Sequence, residues 1–368
     1  MPRAHRPAKN AFVAHANCRA VGRFPTTILG GKPANPAYIP DFALSHRFAS
    51  KRHAENAGDE CASTPGFDAR ASTMHEEPSV LFPEFTPYDV ATSATRIHCV
   101  VGGSGPPLLL LHGYPQTHAM WHRIGPRLAA RYTVVCADLR GYGDSGKPAS
   151  DASHAPYSKR AMAQDMVEVM RYFGFEHFRL VGHDRGARVS HRLCRDHPNA
   201  VSQVVLLDIS PTATMYAHTD RAFATAYYHW FFLIQPYDLP ERLIGADPIY
   251  YLHRKLGGWG TGLEHFDALA MAEYERWFSD PATIHASCED YRAAASIDLE
   301  HDALSEPVAC PMLVLWGERG IVNKLFRPLD DWRAVATDVR GRALPCGHYL
   351  AEELPDETLR EIAAFFGR

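Results

Sequence analysis

The sequence predicts an α/β fold: a mostly parallel sheet flanked by helices, with a helical segment inserted into it. Short apolar runs that suit buried strands alternate with amphipathic helical segments over residues 81–210, and this alternation is typical of parallel sheets with right-handed crossovers. The alternation stops at residues 211–303, which are helical in character and rich in aromatic side chains. It resumes at Met312–Gly317, so the helical segment interrupts a single sheet domain.

The elements follow one another in a regular order along the chain. Strands are predicted for the apolar runs at 96–101, 108–111, 132–136, 178–181, 204–207, 312–317 and 343–344. A helix is predicted from the N-cap candidate Ser158 to about residue 173, because apolar side chains recur on one of its faces. Two more helices are predicted at 188–197 and 357–366.

Three regions of the chain differ in character. Residues 76–210 and 304–368 carry the strand pattern and form the predicted core, and residues 211–303 form the predicted helical cap. Residues 1–75 show no sustained periodicity; they hold nine lysines and arginines before their first long mixed stretch, and the first acidic residue is Asp41. We expect this segment to be a disordered extension or an over-extended start, with Met74 as the true first residue. A targeting peptide is the alternative, since such segments are basic and poor in acidic residues.

Composition excludes several classes of protein. The 368 residues are 46% hydrophobic and 22% charged, with a formal net charge of −4, which gives no reason to expect binding to nucleic acid or to an anionic membrane. No apolar run approaches the roughly 18 residues of a membrane-spanning helix. The eight cysteines form no CxxC pair, so neither a zinc motif nor a redox motif is predicted. We expect a cytoplasmic protein without metal or cofactor.

The most informative motif is a Gly-x-Asp-x-Gly turn centred on Asp184. It follows the predicted strand at 178–181 and precedes a predicted helix, and a strand, a sharp turn and a helix together make a nucleophile elbow. An aspartate at this position can attack a carbon atom to form an ester, which water must then hydrolyse. Arg185 and Arg188 follow it, and two cations beside the nucleophile indicate an anionic substrate.

An acid and a histidine follow the nucleophile in the order that a catalytic triad of this kind requires. Asp208 ends an apolar run, and His348 precedes the last predicted helix. These positions predict that Asp208 orients His348 and that His348 serves as the general base. Asp302 and Glu318 remain alternatives to Asp208 as the partner of the histidine.

Several segments of the chain resemble known families. The elbow, the triad order and the His-Gly-Tyr-Pro loop after residues 108–111 resemble the α/β-hydrolases. Further segments resemble the fluoroacetate dehalogenases in particular, namely 111–118, 183–188, His229-Trp230, 288–292 and 347–350. This resemblance spans roughly residues 80–368, and it implies an α/β-hydrolase fold with an inserted helical cap.

The resemblance implies a reaction in two steps. Asp184 would displace the halide from the carbon that bears it, which leaves an ester on the enzyme. His348, oriented by Asp208, would then activate a water molecule to attack the ester carbonyl of Asp184. The oxyanion formed there would be held by the backbone amides of Tyr114 and Arg185. No cofactor or metal is implied.

The resemblance also implies how the substrate is held. Arg185 and Arg188 would bind the substrate carboxylate. The departing halide would accept hydrogen bonds from three cap residues, His229, Trp230 and Tyr291. Tyr250 and Tyr251 remain alternatives to Tyr291. The resemblance suggests a homodimer as well.

The sequence thus predicts the hydrolytic dehalogenation of haloacetates, with fluoroacetate as the expected substrate. An epoxide hydrolase or haloalkane dehalogenase with the same aspartyl ester is the alternative, and cap tyrosines able to protonate an epoxide oxygen keep it open. Those enzymes usually carry tryptophan directly after the nucleophile, and Arg185 in that place argues against a neutral substrate. A non-catalytic relative that binds a ligand without turnover is a further alternative.

Overall fold

An eight-stranded sheet runs through the part of the protein that a computed structural model describes, residues 80–367. The strands are β1 Thr86–Ala91, β2 Arg96–Gly102, β3 Pro107–Leu111, β4 Thr133–Ala137, β5 Phe178–His183, β6 Val201–Leu207, β7 Met312–Gly317 and β8 Val339–Leu344. Their order is β1-β2-β4-β3-β5-β6-β7-β8, antiparallel at the pairs β1–β2 and β2–β4 and parallel elsewhere. The expectations for residues 1–75 lie outside the described residues.

The helices fall into three groups along the chain. The first group comprises α1 Gly125–Leu128, α2 Lys159–Tyr172 and α3 Arg185–Asp196. Between β6 and β7 lie α4 Thr212–Ala217, α5 Arg221–Ala226, α6 Tyr228–Leu233, α7 Leu239–Gly245, α8 Pro248–Trp259, α9 Ala268–Phe278, α10 Pro281–Ala294 and α11 Ile297–Ala303, which we call the cap. The last group comprises α12 Ile321–Leu325, α13 Pro328–Arg333, α14 Leu350–Glu353 and α15 Pro355–Phe366. Among the helices of residues 80–367, none is long and apolar enough to cross a membrane.

The middle of the sheet is buried on both faces. All four leucines of β3 have no exposed surface, and the last four residues of β6 are buried as well. Strands that helices cover on both sides need apolar side chains on both faces, which is why these segments read as continuous apolar runs. The prediction of these strands from the sequence is confirmed.

The two edges of the sheet depart from the prediction. β1 was not predicted, because only Val90 of its six residues is buried and the apolar signal is absent. β8 begins at Val339, four residues before the predicted start, and its Arg340 and Arg342 are exposed. Edge strands carry polar side chains that discourage pairing with other chains, so their hydrophobic pattern is weak.

The turn between β5 and α3 sets the position of Asp184. Helix α3 begins at Arg185, three residues before the predicted start, because the chain enters the helix directly after the turn. Asp184 has a φ of +46°, a region that few residues other than glycine adopt. A Cβ at Gly186 would lie 2.3 Å from the carbonyl oxygen of His112, so only glycine allows this close approach.

The carboxyl ends of the parallel strands meet at one edge of the sheet. Asp184 follows β5, Asp208 follows β6, and His348 lies in the loop after β8. The loop after β3 carries Tyr114 to the same edge, where its amide reaches Asp184. Crevices at the carboxyl ends of open parallel sheets are where ligands usually bind, and the cap follows directly from β6.

Candidate active site

Asp184 is a buried carboxylate held by a backbone amide. Its side chain is 2% exposed, and its Oδ1 accepts a hydrogen bond from the Tyr114 amide at 3.0 Å. Burial alone would raise the pKa of Asp184, but the attraction of His348 and of nearby positive charges outweighs it and lowers the pKa below its usual value. Asp184 is therefore ionised at neutral pH and needs no base to attack. Its Oδ2 is the oxygen left for that attack.

The Tyr114 amide is placed to serve a second step. Once Oδ2 has formed an ester, Oδ1 becomes its carbonyl oxygen, and attack of water on the ester would put negative charge on Oδ1. The amide at 3.0 Å already donates to this atom. Arg185 is the first residue of α3, where backbone amides lack partners within the helix. This geometry suits an oxyanion hole built on the nucleophile itself.

His348 and Asp208 form a buried pair. The Nδ1 of His348 lies 2.5 Å from Oδ2 of Asp208, and Oδ1 of Asp208 accepts from the Gly317 amide at 2.8 Å. The Nε2 of His348 is buried and has no hydrogen-bond partner among the described residues. A carboxylate on Nδ1 leaves Nε2 free to accept a proton from water, as a general base must.

The alternatives to Asp208 lie elsewhere. Asp302 contacts Arg192 at 3.3 Å and Arg195 at 3.5 Å, and Glu318 is exposed at the end of β7. Neither contacts His348 in the described part of the chain. Asp208 is therefore the carboxylate that orients the histidine.

The two arginines beside the nucleophile differ in their partners. Arg185 donates from Nε and NH2 to the two carboxylate oxygens of Asp290 at 2.9 and 2.7 Å, which leaves only its buried NH1 without a partner in the described chain. Arg188 donates to the Thr212 hydroxyl at 2.9 Å and the Ser210 carbonyl at 3.2 Å. No carboxylate in the range 80–367 pairs with Arg188. The uncompensated positive charge next to Asp184 is thus that of Arg188.

Asp290 is a residue that the sequence reasoning missed. Besides Arg185, it contacts the ammonium group of Lys159 and accepts from the Tyr142 hydroxyl at 2.7 Å. It lies directly before Tyr291, within the run 288–292 that carries the family resemblance. That position was the only signal, because its partner Arg185 lies 105 residues away in the sequence.

Buried donors without partners surround the nucleophile on the cap side. His229 and Trp230 lie on α6 and are 0% and 1% exposed. Both ring nitrogens of His229 and Nε1 of Trp230 have no partner in the described structure. An unpaired buried donor costs about 1–3 kcal/mol, so such a cluster is typical of a place that a ligand completes.

Tyr291 lies beside these donors, whereas one of its alternatives does not. Its ring centre is 5.5 Å from that of His229 and 6.5 Å from that of Trp230. Tyr250 is 64% exposed. Tyr251 is buried further along α8, with its ring stacked 6.0 Å from that of Phe278. The geometry favours Tyr291 as the third donor.

One cluster of described residues could in principle hold a metal ion. Atoms of His98, His118 and Asp138 lie within 4.8 Å of one another. Asp138, however, already accepts from the Nδ1 and amide of His118 at 2.9 and 2.7 Å and from the Asp144 amide at 3.0 Å. These bonds satisfy the carboxylate internally, so we interpret the cluster as structural.

The fold and this site define the class of protein. The family model described as the α/β hydrolase fold matches residues 106–353, and the chain belongs to that family. Among characterised proteins, it is 49% identical over 288 residues to a fluoroacetate dehalogenase of Burkholderia sp, across 77% of this chain and 95% of that protein. The resemblance inferred from the motifs is confirmed.

Two further relatives widen the comparison. A soluble epoxide hydrolase of Corynebacterium sp. (strain C12) is 32% identical over 77% of this chain and 98% of that protein. A solved structure from Nostoc sp PCC 7120, provisionally described as an α/β hydrolase, is 60% identical with a TM-score of 0.76, over 77% of this chain and 98% of that one. The relatives therefore include more than one chemistry.

Proposed function

We propose that this enzyme hydrolyses haloacetates and converts fluoroacetate and water into glycolate and fluoride. The observation that carries the proposal is the pairing of two unsatisfied features around one buried carboxylate. On one side of Asp184 lies the uncompensated cation of Arg188, and on the other lie the unpaired donors of the cap. A small molecule with a carboxylate at one end and a halogen at the other satisfies both.

In the first step, Oδ2 of Asp184 attacks the carbon that bears the halogen. The carbon–halogen bond breaks, its electron pair leaves with the halide, and an ester between Asp184 and glycolate remains. Fluoride is a poor leaving group, so donors must stabilise the charge that develops on it. His229, Trp230 and Tyr291 supply that function, and loss of one such donor typically costs on the order of 3 kcal/mol of barrier.

In the second step, His348 takes a proton from water as the water attacks the ester carbonyl of Asp184. The developing charge on Oδ1 is held by the Tyr114 amide and by the amide of Arg185. Collapse of this intermediate releases glycolate and restores the carboxylate. Asp208 stabilises the imidazolium that forms on His348.

Substrate recognition divides between the two arginines. Arg188 supplies the charge that pairs with the substrate carboxylate, because no carboxylate of the described chain already pairs with it. Arg185 supplies a fixed donor, NH1, while Asp290 holds the rest of its guanidinium. A bidentate clamp of this kind excludes neutral substrates, since an empty clamp leaves its buried cation unpaired.

Halide release from fluoroacetate, chloroacetate and a neutral 1-haloalkane tests the proposal. We expect release from the two acids only. The variant Arg188→Gln should reduce kcat/KM for the acids by about tenfold to a hundredfold, the effect of one charge-assisted contact, and Arg327→Gln on the protein surface is the matched control. Release from the neutral compound alone would contradict the proposal.

Epoxide hydrolysis is the second candidate, and similarity to the Corynebacterium enzyme favours it. Tyr291 adjoins the nucleophile side of the cap and could protonate an opening epoxide oxygen. Turnover of styrene oxide without turnover of haloacetates would establish this function in place of dehalogenation.

A further inference from the structure

A buried lysine of the cap lacks any bond that accounts for its burial. Lys255 lies on α8 and is 3% exposed, and it makes no hydrogen bond or ion pair within residues 80–367. Its Nζ lies 4.3 Å from the ring centre of Trp259 and 4.9 Å from that of Tyr228. Aromatic faces attract a cation, but burial of an ammonium group without an anion is costly.

The position of Lys255 relates it to the reaction chamber. Trp259, one helical turn further on, packs its ring 4.6 Å from that of His229 and 4.9 Å from that of His348. On its other side, Tyr228 is 46% exposed. The ammonium group therefore lies between a solvent-exposed ring and the donors that face the nucleophile.

The buried charges of this region balance only when Lys255 is protonated. Three carboxylates, Asp184, Asp208 and Asp290, stand against three cations, Arg185, Arg188 and Lys255, with Lys159 and Asp298 as a further pair at 3.5 Å. With Lys255 neutral, the region would carry excess negative charge before any anion entered. Displacement also leaves a halide and a substrate carboxylate together in the same space.

We propose that Lys255 is the counter-cation of the anions that enter and leave this chamber, the haloacetate and the released halide. This role rests on the proposed dehalogenation and adds to it a residue outside the triad, the arginines and the halide donors. Lys255 pairs with whichever anion is present, and its contact with Tyr228 places it on the side from which anions arrive.

The charge of Lys255 responds to what it faces. Burial lowers the pKa of Lys255 to about 7, against the attraction of Asp184. An anion beside it favours the protonated form, so anion binding takes up a proton near neutral pH and weakens as pH rises. The other titratable groups facing it are Tyr228 and His229 of α6, and burial keeps the pKa of His229 well below 6.5. On the adjacent α9, Glu275 is paired with His253 at 2.7 Å.

Bromide binding tests this role without turnover. Bromide is added to the whole protein, and its saturable effect on tryptophan fluorescence gives the dissociation constant. We expect Lys255→Met to weaken bromide binding at least about tenfold, the effect of losing one buried charge-assisted contact. The control Lys324→Met, at an exposed lysine of α12, should bind as the unaltered protein does. Equal affinity in K255M and the unaltered protein would overturn the proposal.

A second comparison keeps the test decisive if K255M folds poorly. In a His348→Asn background, which removes the other imidazole that titrates, bromide affinity should fall between about pH 6 and pH 9. Adding Lys255→Arg should abolish that fall, because arginine stays charged. The same pH dependence in both proteins would overturn the proposal. Bromide binding requires no chemistry, so failure of fluoroacetate turnover would be distinguishable from failure of this role.

Discussion

At the scale of single residues, one aspartate makes two neighbouring arginines unequal. Arg185 is tied to Asp290 through two side-chain bonds, and its guanidinium lies 4.1 Å from the ring centre of Tyr291. Arg188 has only neutral partners and lies over Trp230 at 4.7 Å. Burial and the neighbouring Arg185 lower the pKa of Arg188, which is the electrostatic mark of a cation that awaits an anion.

The substitution Asp290→Asn tests how far Arg185 depends on its partner. Removing one member of a buried ion pair leaves the cations Arg185 and Lys159 uncompensated, which should cost about 3 kcal/mol of the free energy of unfolding. We also expect kcat/KM for fluoroacetate to fall about tenfold or more, since NH1 of Arg185 is no longer held in place. Urea denaturation and halide release measure the two effects.

Asp356→Asn is the matched control for this prediction. Asp356 forms a 2.6 Å pair with Arg127, but both side chains are largely exposed, and exposed pairs contribute little to stability. Equal losses in the two variants would show that Asp290 has no special role.

At the scale of elements, one buried carboxyl group joins the cap to the core. Glu352 of α14 accepts from the Tyr274 hydroxyl of α9 at 3.0 Å and from Gln116 Nε2 at 2.5 Å. Gln116 lies two residues after Tyr114, whose amide contacts the nucleophile. No cation in the described chain pairs with the Glu352 side chain, and burial raises its pKa from 4.5 to about 8.

This carboxyl group should make stability depend on pH. Because the folded pKa lies above the unfolded one, the folded state binds more protons between about pH 4.5 and pH 8. The contribution of Glu352 to stability is then complete below that window and is lost as pH rises through it. Glu352→Gln mimics the protonated form, so its melting temperature should gain on that of the unaltered protein by a few degrees from about pH 5 to pH 8.5. A difference that stays constant with pH would show that Glu352 does not titrate there.

At the scale of the whole molecule, the sequence predicts what is local or continuous. The central strands are unbroken apolar runs, and the nucleophile turn is contained in a few residues, so both could be derived without a structure. The pair Arg185–Asp290 could not, because it joins positions 105 residues apart and either side chain alone reads as a surface charge. Lys255 is similar: only its spacing of four residues from Trp259 hints at a shared helix face.

The molecule also encloses its chemistry. Asp184, His348 and the three cap donors are each 2% exposed or less, so water has little access to the nucleophile. Exclusion of water strengthens the electrostatic interactions inside the site and limits nonproductive hydrolysis. The ester on Asp184 is therefore the intermediate on which the whole account depends.

Mass spectrometry of His348→Asn after incubation with fluoroacetate tests that claim most directly. Without the general base, displacement should proceed but ester hydrolysis should stop, so the peptide containing Asp184 should become heavier by one carboxymethyl group, with about one fluoride released per protein molecule. Asp184→Asn should release none. An unmodified Asp184 peptide, or steady turnover in Asp184→Asn, would contradict the account.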